Sequence, residues 1–217
     1  MESIENVSTI THLTETRIPQ QTVGRLLTYL RVLLCLAEQG VETVSSHDLG
    51  DSCDVKPCVI RKDLSYFGGF GKRGVGYDVK GLICQIRSIL NLDRVMKAAL
   101  VGVGNVGRAL LANPQFEGEG FKISVAFDRD PDKIGREVGG VLIEDVAALE
   151  RRIREDGIKL AIVAVGVSEA PGIAHRLADA GVKGILSFAP CPLNMPEGVK
   201  VTCVDLATEM ARLAYYI

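Results

Sequence analysis

Lys97-Ala98-Ala99-Leu100-Val101-Gly102-Val103-Gly104-Asn105-Val106-Gly107 opens the stretch that decides the fold of this chain, and the stretch closes at Asp128. An apolar run, Ala98 to Val101, leads into Gly-x-Gly-x-x-Gly; a helical pattern through Leu110 and Leu111 follows; a second apolar run, Ile123 to Phe127, ends in Asp128. In a dinucleotide-binding unit the first Gly makes the strand-to-helix turn, the second lets the backbone approach a pyrophosphate, and the third lets the helix pack closely on the strand. The phosphates then meet the free N–H groups of a helix N-terminus. Asp128 lies 21 residues beyond Gly107, close to the spacing of roughly 20 for the carboxylate that accepts from the adenine ribose hydroxyls. The glycines alone occur by chance in a chain with 23 Gly, and a structural turn is the plain alternative. Strand, helix and terminal acid together favour nucleotide binding. Arg129 could hold a 2′-phosphate, yet Asp128 beside it would repel one, so NAD is expected over NADP.

The 217 residues suit one or two domains with ample chain to bury a core. A formal charge of −2 gives no blanket attraction for nucleic acid or anionic lipid. The charge is uneven, however. Residues 1–54 carry 3 basic and 8 acidic side chains, net −5, whereas residues 55–80 carry 6 basic and 2 acidic, net +4. No apolar run is long enough to span a membrane and Met1 to Arg17 lacks a signal-peptide core, so a cytoplasmic protein is expected. Six cysteines without a Cys-x-x-Cys pair argue against a disulfide framework or a zinc site. Cys35 is expected to be buried in an apolar helix, and Cys53 and Cys58 are the one close pair.

Along the chain, Val23, Leu26, Leu27, Leu30, Leu33, Leu34 and Ala37 fall at helical spacing and predict an inward stripe that ends at Gly40. Arg25 and Arg31 lie off it, so no structural role in the core is expected of Arg25. A short second helix should start at Ser45 or Ser46, with Asp48 completing an imperfect capping box, and break at about Asp51 to Asp54. Pro57 suits the first turn of a third helix that turns Val59, Ile60, Leu64 and Phe67 inward and Arg61, Lys62 and Ser65 outward. Five glycines within residues 68–76 exclude helix interior, and two short strands around a turn tipped by Lys72-Arg73 fit better. Three helices, the third basic, followed by such a hairpin make a winged helix-turn-helix, whose third helix enters the major groove. Solvated charges on a small helical domain are the alternative; confinement of the +4 to this helix and wing favours DNA.

Residues 81–95 read as a connecting helix. Beyond Asp128, Pro131 and Gly135 mark a loop and Asp145 to Glu155 a charged helix. Lys159 to Val165 is a strand covered on both faces, Ser168 to Ala180 a helix, and Gly184 to Ser187 and Val199 to Val204 further strands. The alternation predicts an α/β, Rossmann-like, doubly wound parallel sheet. Asp205 then caps a last helix, Leu206 to Tyr216, whose stripe of Leu206, Met210, Leu213 and Ala214 must pack on its own sheet or on a partner subunit. The expected domains are 1–80, a winged-helix DNA-binding domain; 81–95, the connecting helix; 96–204, a Rossmann NAD(H)-binding domain; and 205–217, a dimerisation helix.

Ile18-Pro19, Arg25-Leu26, Tyr29-Leu30-Arg31, Val44-Ser45-Ser46, Arg61-Lys62-Asp63-Leu64-Ser65-Tyr66-Phe67-Gly68, Phe70-Gly71-Lys72-Arg73-Gly74-Val75-Gly76-Tyr77, Gly102 to Gly107 and Phe188-Ala189-Pro190 together resemble the bacterial redox-sensing repressor family Rex. The likeness runs from about Ile18 to Tyr216, and the stretch from Arg61 to Tyr77 is its most specific part. It implies a homodimeric repressor on an inverted-repeat operator of double-stranded DNA, released by NADH and permitted by NAD+, with the last helix exchanged between subunits. It also implies a polar link between Arg25 and Asp205 across the dimer. The chain departs from the family pattern at Ser187, where Asn is frequent, at Asn113, where Tyr is frequent, and at Lys56 and Cys58.

The candidate cofactor residues are Gly102, Val103, Gly104, Asn105, Val106, Gly107, Asp128, Arg129, Val165, Phe188, Ala189 and Pro190. The candidate DNA contacts are Ser45, Ser46, Lys56, Arg61, Lys62, Ser65, Tyr66, Lys72, Arg73 and Gly74. Neither a catalytic nor a metal site is expected. A small NAD-dependent dehydrogenase with an N-terminal helical module is the alternative. It would need a proton donor or acceptor beside the nicotinamide, and His12, His47 and His175 do not fall at a strand's carboxyl end; Cys191 is the one possible reactive group, with packing as its expected role. A CoA-binding domain would leave the wing without explanation.

Overall fold

The computed structural model describes residues 18–68, 71, 74–113, 116 and 119–217. They divide between Asp93 and Arg94 into two compact units. In the first, helix α1 (Gln20–Glu38) follows Pro19 and buries Thr22, Leu26, Tyr29, Leu30 and Leu33, which share one helix face. The expected stripe is rolled: Val23 and Leu27 are 39% and 44% exposed, and Cys35 is exposed rather than buried. The roll has a polar cause. It turns Thr22, Arg25 and Tyr29 onto Asp63, so Arg25, read as peripheral, is part of the packing between two helices.

Helix α2 (Ser46–Cys53) is capped by Ser45, whose Oγ accepts from the backbone N–H groups of His47 and Asp48 and donates to the Asp48 carboxylate at 2.6 Å. It ends at Cys53, within the expected break. Asp54 then takes a left-handed φ of +52°, Val55 N–H donates back to the Gly50 carbonyl at 2.9 Å, and helix α3 (Pro57–Ser65) begins with Pro57 in its first turn. A Cβ on Gly50 would lie 2.5 Å from the Val55 carbonyl oxygen, so this helix-turn-helix closes because that position has no side chain.

Strands β1 (Thr43–Val44) and β2 (Tyr77–Asp78) pair antiparallel, Val44 opposite Tyr77. Two strands were expected to flank the wing turn; among the described residues only the second is present, and its partner is β1. The expected tip, Lys72-Arg73, lies outside the described residues. Helix α4 (Val79–Ile89) starts earlier than expected because Asp78 caps it, accepting from Gly81 N–H at 2.6 Å. It buries Val79, Leu82, Ile83 and Ile86 and packs on α1. The helix expected as a connector is therefore built into the core of the first unit.

The second unit runs β3 (Met96–Val101), α5 (Asn105–Leu111), β4 (Phe121–Asp128), β5 (Glu137–Val138), β6 (Val141–Asp145), α6 (Leu149–Glu155), β7 (Leu160–Val163), α7 (Ala170–Asp179), β8 (Gly184–Ser187), β9 (Lys200–Cys203) and α8 (Leu206–Ala214). The sheet order is β5-β6-β4-β3-β7-β8-β9, parallel throughout except for the β5–β6 hairpin. That hairpin falls where only a loop was expected. Ala99 and Val101 of β3 join one core with Phe127, Ile153 and Leu177, while Leu100 joins a second with Ile123, Ala126 and Ile162. Both faces are thus buried, as apolar parallel strands require. The chain reverses direction across the sheet between β3 and β7, the switch point whose carboxyl-end crevice holds ligands in folds of this class. No residue of α8 is buried, and Leu206, Met210 and Leu213 are 60–68% exposed. Among the described residues no helix is long and apolar enough to cross a membrane.

Gly50→Ala should destabilise the first unit by about 1–3 kcal/mol through overpacking against Val55. Gly24→Ala, inside α1 with nothing within 4 Å of the added Cβ, should instead stabilise it by roughly 0.5–1 kcal/mol. Urea unfolding of the two variants checks the opposite signs.

Candidate nucleotide cleft and nucleic-acid interface

The glycine loop folds back on the end of β4. Gly102 has φ +96°, and a Cβ there would meet the Ala164 carbonyl at 2.5 Å; one on Gly107 would lie 2.1 Å from the Gly102 carbonyl, while Gly104 faces open space. The three glycines therefore do different work: the turn, the open approach and the close helix contact. Val103 N–H donates to Asp128 Oδ2 at 2.8 Å, so the acid also pins the loop. Asp130 N–H donates to Oδ1 at 3.0 Å, and Lys133 Nζ reaches Oδ2 at 3.1 Å. Burial pushes the Asp128 carboxyl up, but the Asp130 and Val103 N–H groups and the Lys133 ammonium outweigh it and hold the carboxyl below its ordinary value. A fixed carboxylate with lone-pair capacity left is suited to accept from a sugar hydroxyl.

A cleft of about 540 Å³ opens beside this loop, lined in part by Gly102, Gly104, Asp128, Arg129 and Val165 from the expected set. Its other wall was not anticipated: Val146, Ser168, Glu169, Gly172, Ile173 and Arg176, with Lys133 on the near side. Arg176 is fixed there by Glu150 and by the Val146 carbonyl at 2.8 Å, and it pushes the Glu150 carboxyl down to about 2. Only Lys133, five residues past Asp128, carried a sequence signal, as a cation near the acid. Val103, Asn105, Val106 and Gly107 form the turn and first helical turn behind the cleft. Phe188, Ala189 and Pro190 follow β8 at the same carboxyl edge, outside the cleft lining, with Ala189 buried. Cys191 packs against the core around Phe127. His175 sits on α7 with Nδ1 2.8 Å from the Pro171 carbonyl, and His47 pairs with Asp51; neither lines the cleft. His12 lies outside the described residues.

In the first unit the one acid of α3 is turned inward. Asp63 is 1% exposed and receives Arg25 Nε at 2.5 Å, Arg25 Nη2 at 2.7 Å, Tyr29 Oη at 2.8 Å and Thr22 Oγ1 at 3.0 Å. Burial opposes its charge, yet the Arg25, Tyr29 and Thr22 donors hold the carboxyl below its ordinary value. Burial, and then Asp63 itself, pushes the Tyr29 hydroxyl up. The outer face of α3 is left with Lys56, Arg61 and Lys62, all exposed. Arg61 Nη1 donates to Ser46 Oγ at 2.8 Å, tying α3 to the start of α2, and Ser65 donates to the Lys62 carbonyl at 2.7 Å. Tyr66 is half-buried, Ser45 is taken up by its cap, and Gly74 is exposed with φ +80°. Cys53 and Cys58 are free thiols. A cationic helix face with short hydroxyl side chains at its margin can meet a phosphate backbone and base edges.

Two family models match the chain, a CoA binding domain over residues 93–191 and a putative DNA-binding protein N-terminus over residues 17–65. The redox-sensing transcriptional repressor Rex of a Roseiflexus species is 43% identical over 199 residues, covering 92% of this chain and 90% of that protein. Its namesake from Maridesulfovibrio salexigens is 44% identical over 200 residues, covering 92% and 96%. This chain belongs to the Rex family. Among solved structures, that of RSP in complex with beta-NAD+ and operator DNA superposes on this Rex-family chain with a TM-score of 0.89 at 33% identity, covering 93% of each. RSP in complex with beta-NADH gives 0.84 at 31% identity, covering 93% of this chain and 95% of that one. These Rex relatives are repressors and not dehydrogenases, which sets the enzyme alternative aside, and the CoA-binding likeness extends over the second unit alone.

Folding holds the Asp63 carboxyl below its ordinary 3.8, so its stabilisation is complete above about pH 4 and is lost as pH falls through the depressed value. Asp63→Asn should cost the first unit roughly 2–3 kcal/mol at neutral pH, since Arg25 is left part-buried without its counter-charge. The variant should also show a flatter acid limb. Urea unfolding between pH 7 and 3 checks both.

Proposed function

We propose that this protein is a cytoplasmic, homodimeric transcriptional repressor that senses the NADH/NAD+ ratio. It binds an inverted-repeat operator through α3 and the wing, and NADH releases it. The observation that carries the reading is the coexistence of a cationic outer face on α3, that helix's one acid neutralised inside, with a dinucleotide cleft whose ribose acceptor is preformed, in a chain that aligns over 92% of its length with Rex repressors. RSP, a relative of solved structure, has been crystallised with beta-NAD+ and operator DNA and with beta-NADH.

In this reading Arg61, Lys62 and Lys56, with Ser46, Ser65 and Tyr66, face the major groove, and Lys72, Arg73 and Gly74 the flanking phosphates. The Gly102 to Gly107 loop takes the pyrophosphate, Asp128 the adenine ribose, and Val165 with Phe188-Ala189-Pro190 the nicotinamide side. The exposed stripe of α8 is covered by the second subunit. Regulation follows if NADH prefers a subunit arrangement that cannot span two half-sites one helical turn apart. The family resemblance assigns the coupling between DNA and nucleotide binding to Arg25 and Asp205. Here Arg25 is already held by Asp63, and Asp205 caps α8, accepting from Ala207 and Thr208 N–H.

Band-shift titration on an AT-rich inverted repeat should show retardation that NADH reverses. Asp128→Ala should still retard the DNA but resist NADH, its nucleotide affinity down by about 1.5–3 kcal/mol. An operator complex indifferent to NADH in the unmodified protein overturns the sensor reading.

The coupling has its own check. Asn caps a helix about as well as Asp, so Asp205→Asn should leave unfolding stability near that of the parent. If Asp205 pairs with Arg25, the NADH concentration that releases half the DNA should shift, with nucleotide affinity of the free protein little changed. An unaltered NADH response would reduce Asp205 to a cap.

A further inference from the structure

Three cations line the cleft among the described residues, Arg129, Lys133 and Arg176, and each is matched by a carboxylate. Lys133 lies 3.1 Å from Asp128 and 3.5 Å from Asp130. Arg176 grips Glu150 through Nε and Nη2 and the Val146 carbonyl besides. Arg129, at the end of β4, is bonded through Nη1 to Glu169, which precedes α7 on the far wall. The adenosine end of the cleft is therefore closed in charge. A ribose carrying two hydroxyls finds an acceptor in Asp128, whereas a 2′-phosphate, with a charge of about −1.5 to −2, finds no cation that is not already paired.

The three pairs are not equivalent. Lys133 is needed to hold Asp128, and Arg176 is locked by two partners against the wall. Arg129 is 75% exposed at its side chain and, among the described residues, is anchored across the cleft by Glu169 alone, so it is the cation that can swing to a phosphate. It also follows directly on the ribose acceptor. Resting on the assignment of this cleft to a dinucleotide, we propose that Glu169 is a specificity-determining residue: by occupying Arg129 it excludes 2′-phosphorylated dinucleotides, a task usually left to the acid at the end of the second strand alone.

The test is calorimetric titration of the full-length protein with NADH and with NADPH. In the unmodified protein NADH should bind and NADPH should bind far more weakly. Glu169→Gln keeps the side chain's shape and frees Arg129, and the ratio of the NADPH to the NADH dissociation constant should fall by about tenfold, as one charge-assisted bond to phosphate implies. Glu169→Asp, which retains the charge, should preserve the ratio. Adding Arg129→Ala to Glu169→Gln should restore it. An unchanged ratio in Glu169→Gln, with NADH still bound, overturns the proposal and leaves the cleft assignment standing. Failure of the unmodified protein to bind NADH overturns the cleft assignment itself, and the proposal with it.

Discussion

The carboxylate of Asp63 is the constraint on which the first unit depends. An ionised group this buried is tolerated only with donors on every side, and α1 supplies all of them from Thr22, Arg25 and Tyr29. The demand sets the roll of α1 about its axis and hence which of its leucines face inward. It also fixes α3 about its own axis. Once Asp63 points in, Arg61 and Lys62 must point out. A structural ion pair inside thus determines the sign of the surface outside.

The second unit has a comparable anchor in Asp128. Its carboxylate holds the glycine loop through Val103 N–H while remaining open to a ligand, so the loop geometry and the ribose acceptor are parts of one network. Parallel pairing of β4 with β3 brings the two together at the carboxyl edge, residue for residue from Ala99 and Val125 to Val101 and Phe127. Loss of the acid would therefore loosen the turn as well as remove an acceptor.

Much of this was legible in the chain. The apolar runs, the glycine spacing and the terminal acid placed β3, α5 and β4; Ser45 and Pro57 marked the starts of α2 and α3. Residues 137–145 were missed although Gly139-Gly140 is a hairpin signal, because the flanking strands are short and carry Glu137, Glu144 and Asp145. The far wall of the cleft was invisible for another reason. Glu169, Ile173 and Arg176 reach the site from 41 or more residues beyond Asp128, and only the parallel crossover brings them there. Arg25 was misjudged because periodicity weighs apolar residues and gives no weight to a buried carboxylate one helix away.

The nine-residue helix α8 ends the chain with every side chain exposed. A helix of that length is at best marginal in water on its own, and its Leu206, Met210 and Leu213 contribute nothing to the core of the chain that carries them. In the proposed homodimer the energy that orders it comes from association, and so follows mass action. Dilution then acts as a denaturant of this segment alone: thermal transitions of the protein should carry a concentration dependence that the rest of the Rossmann unit, with its buried two-faced sheet, does not share.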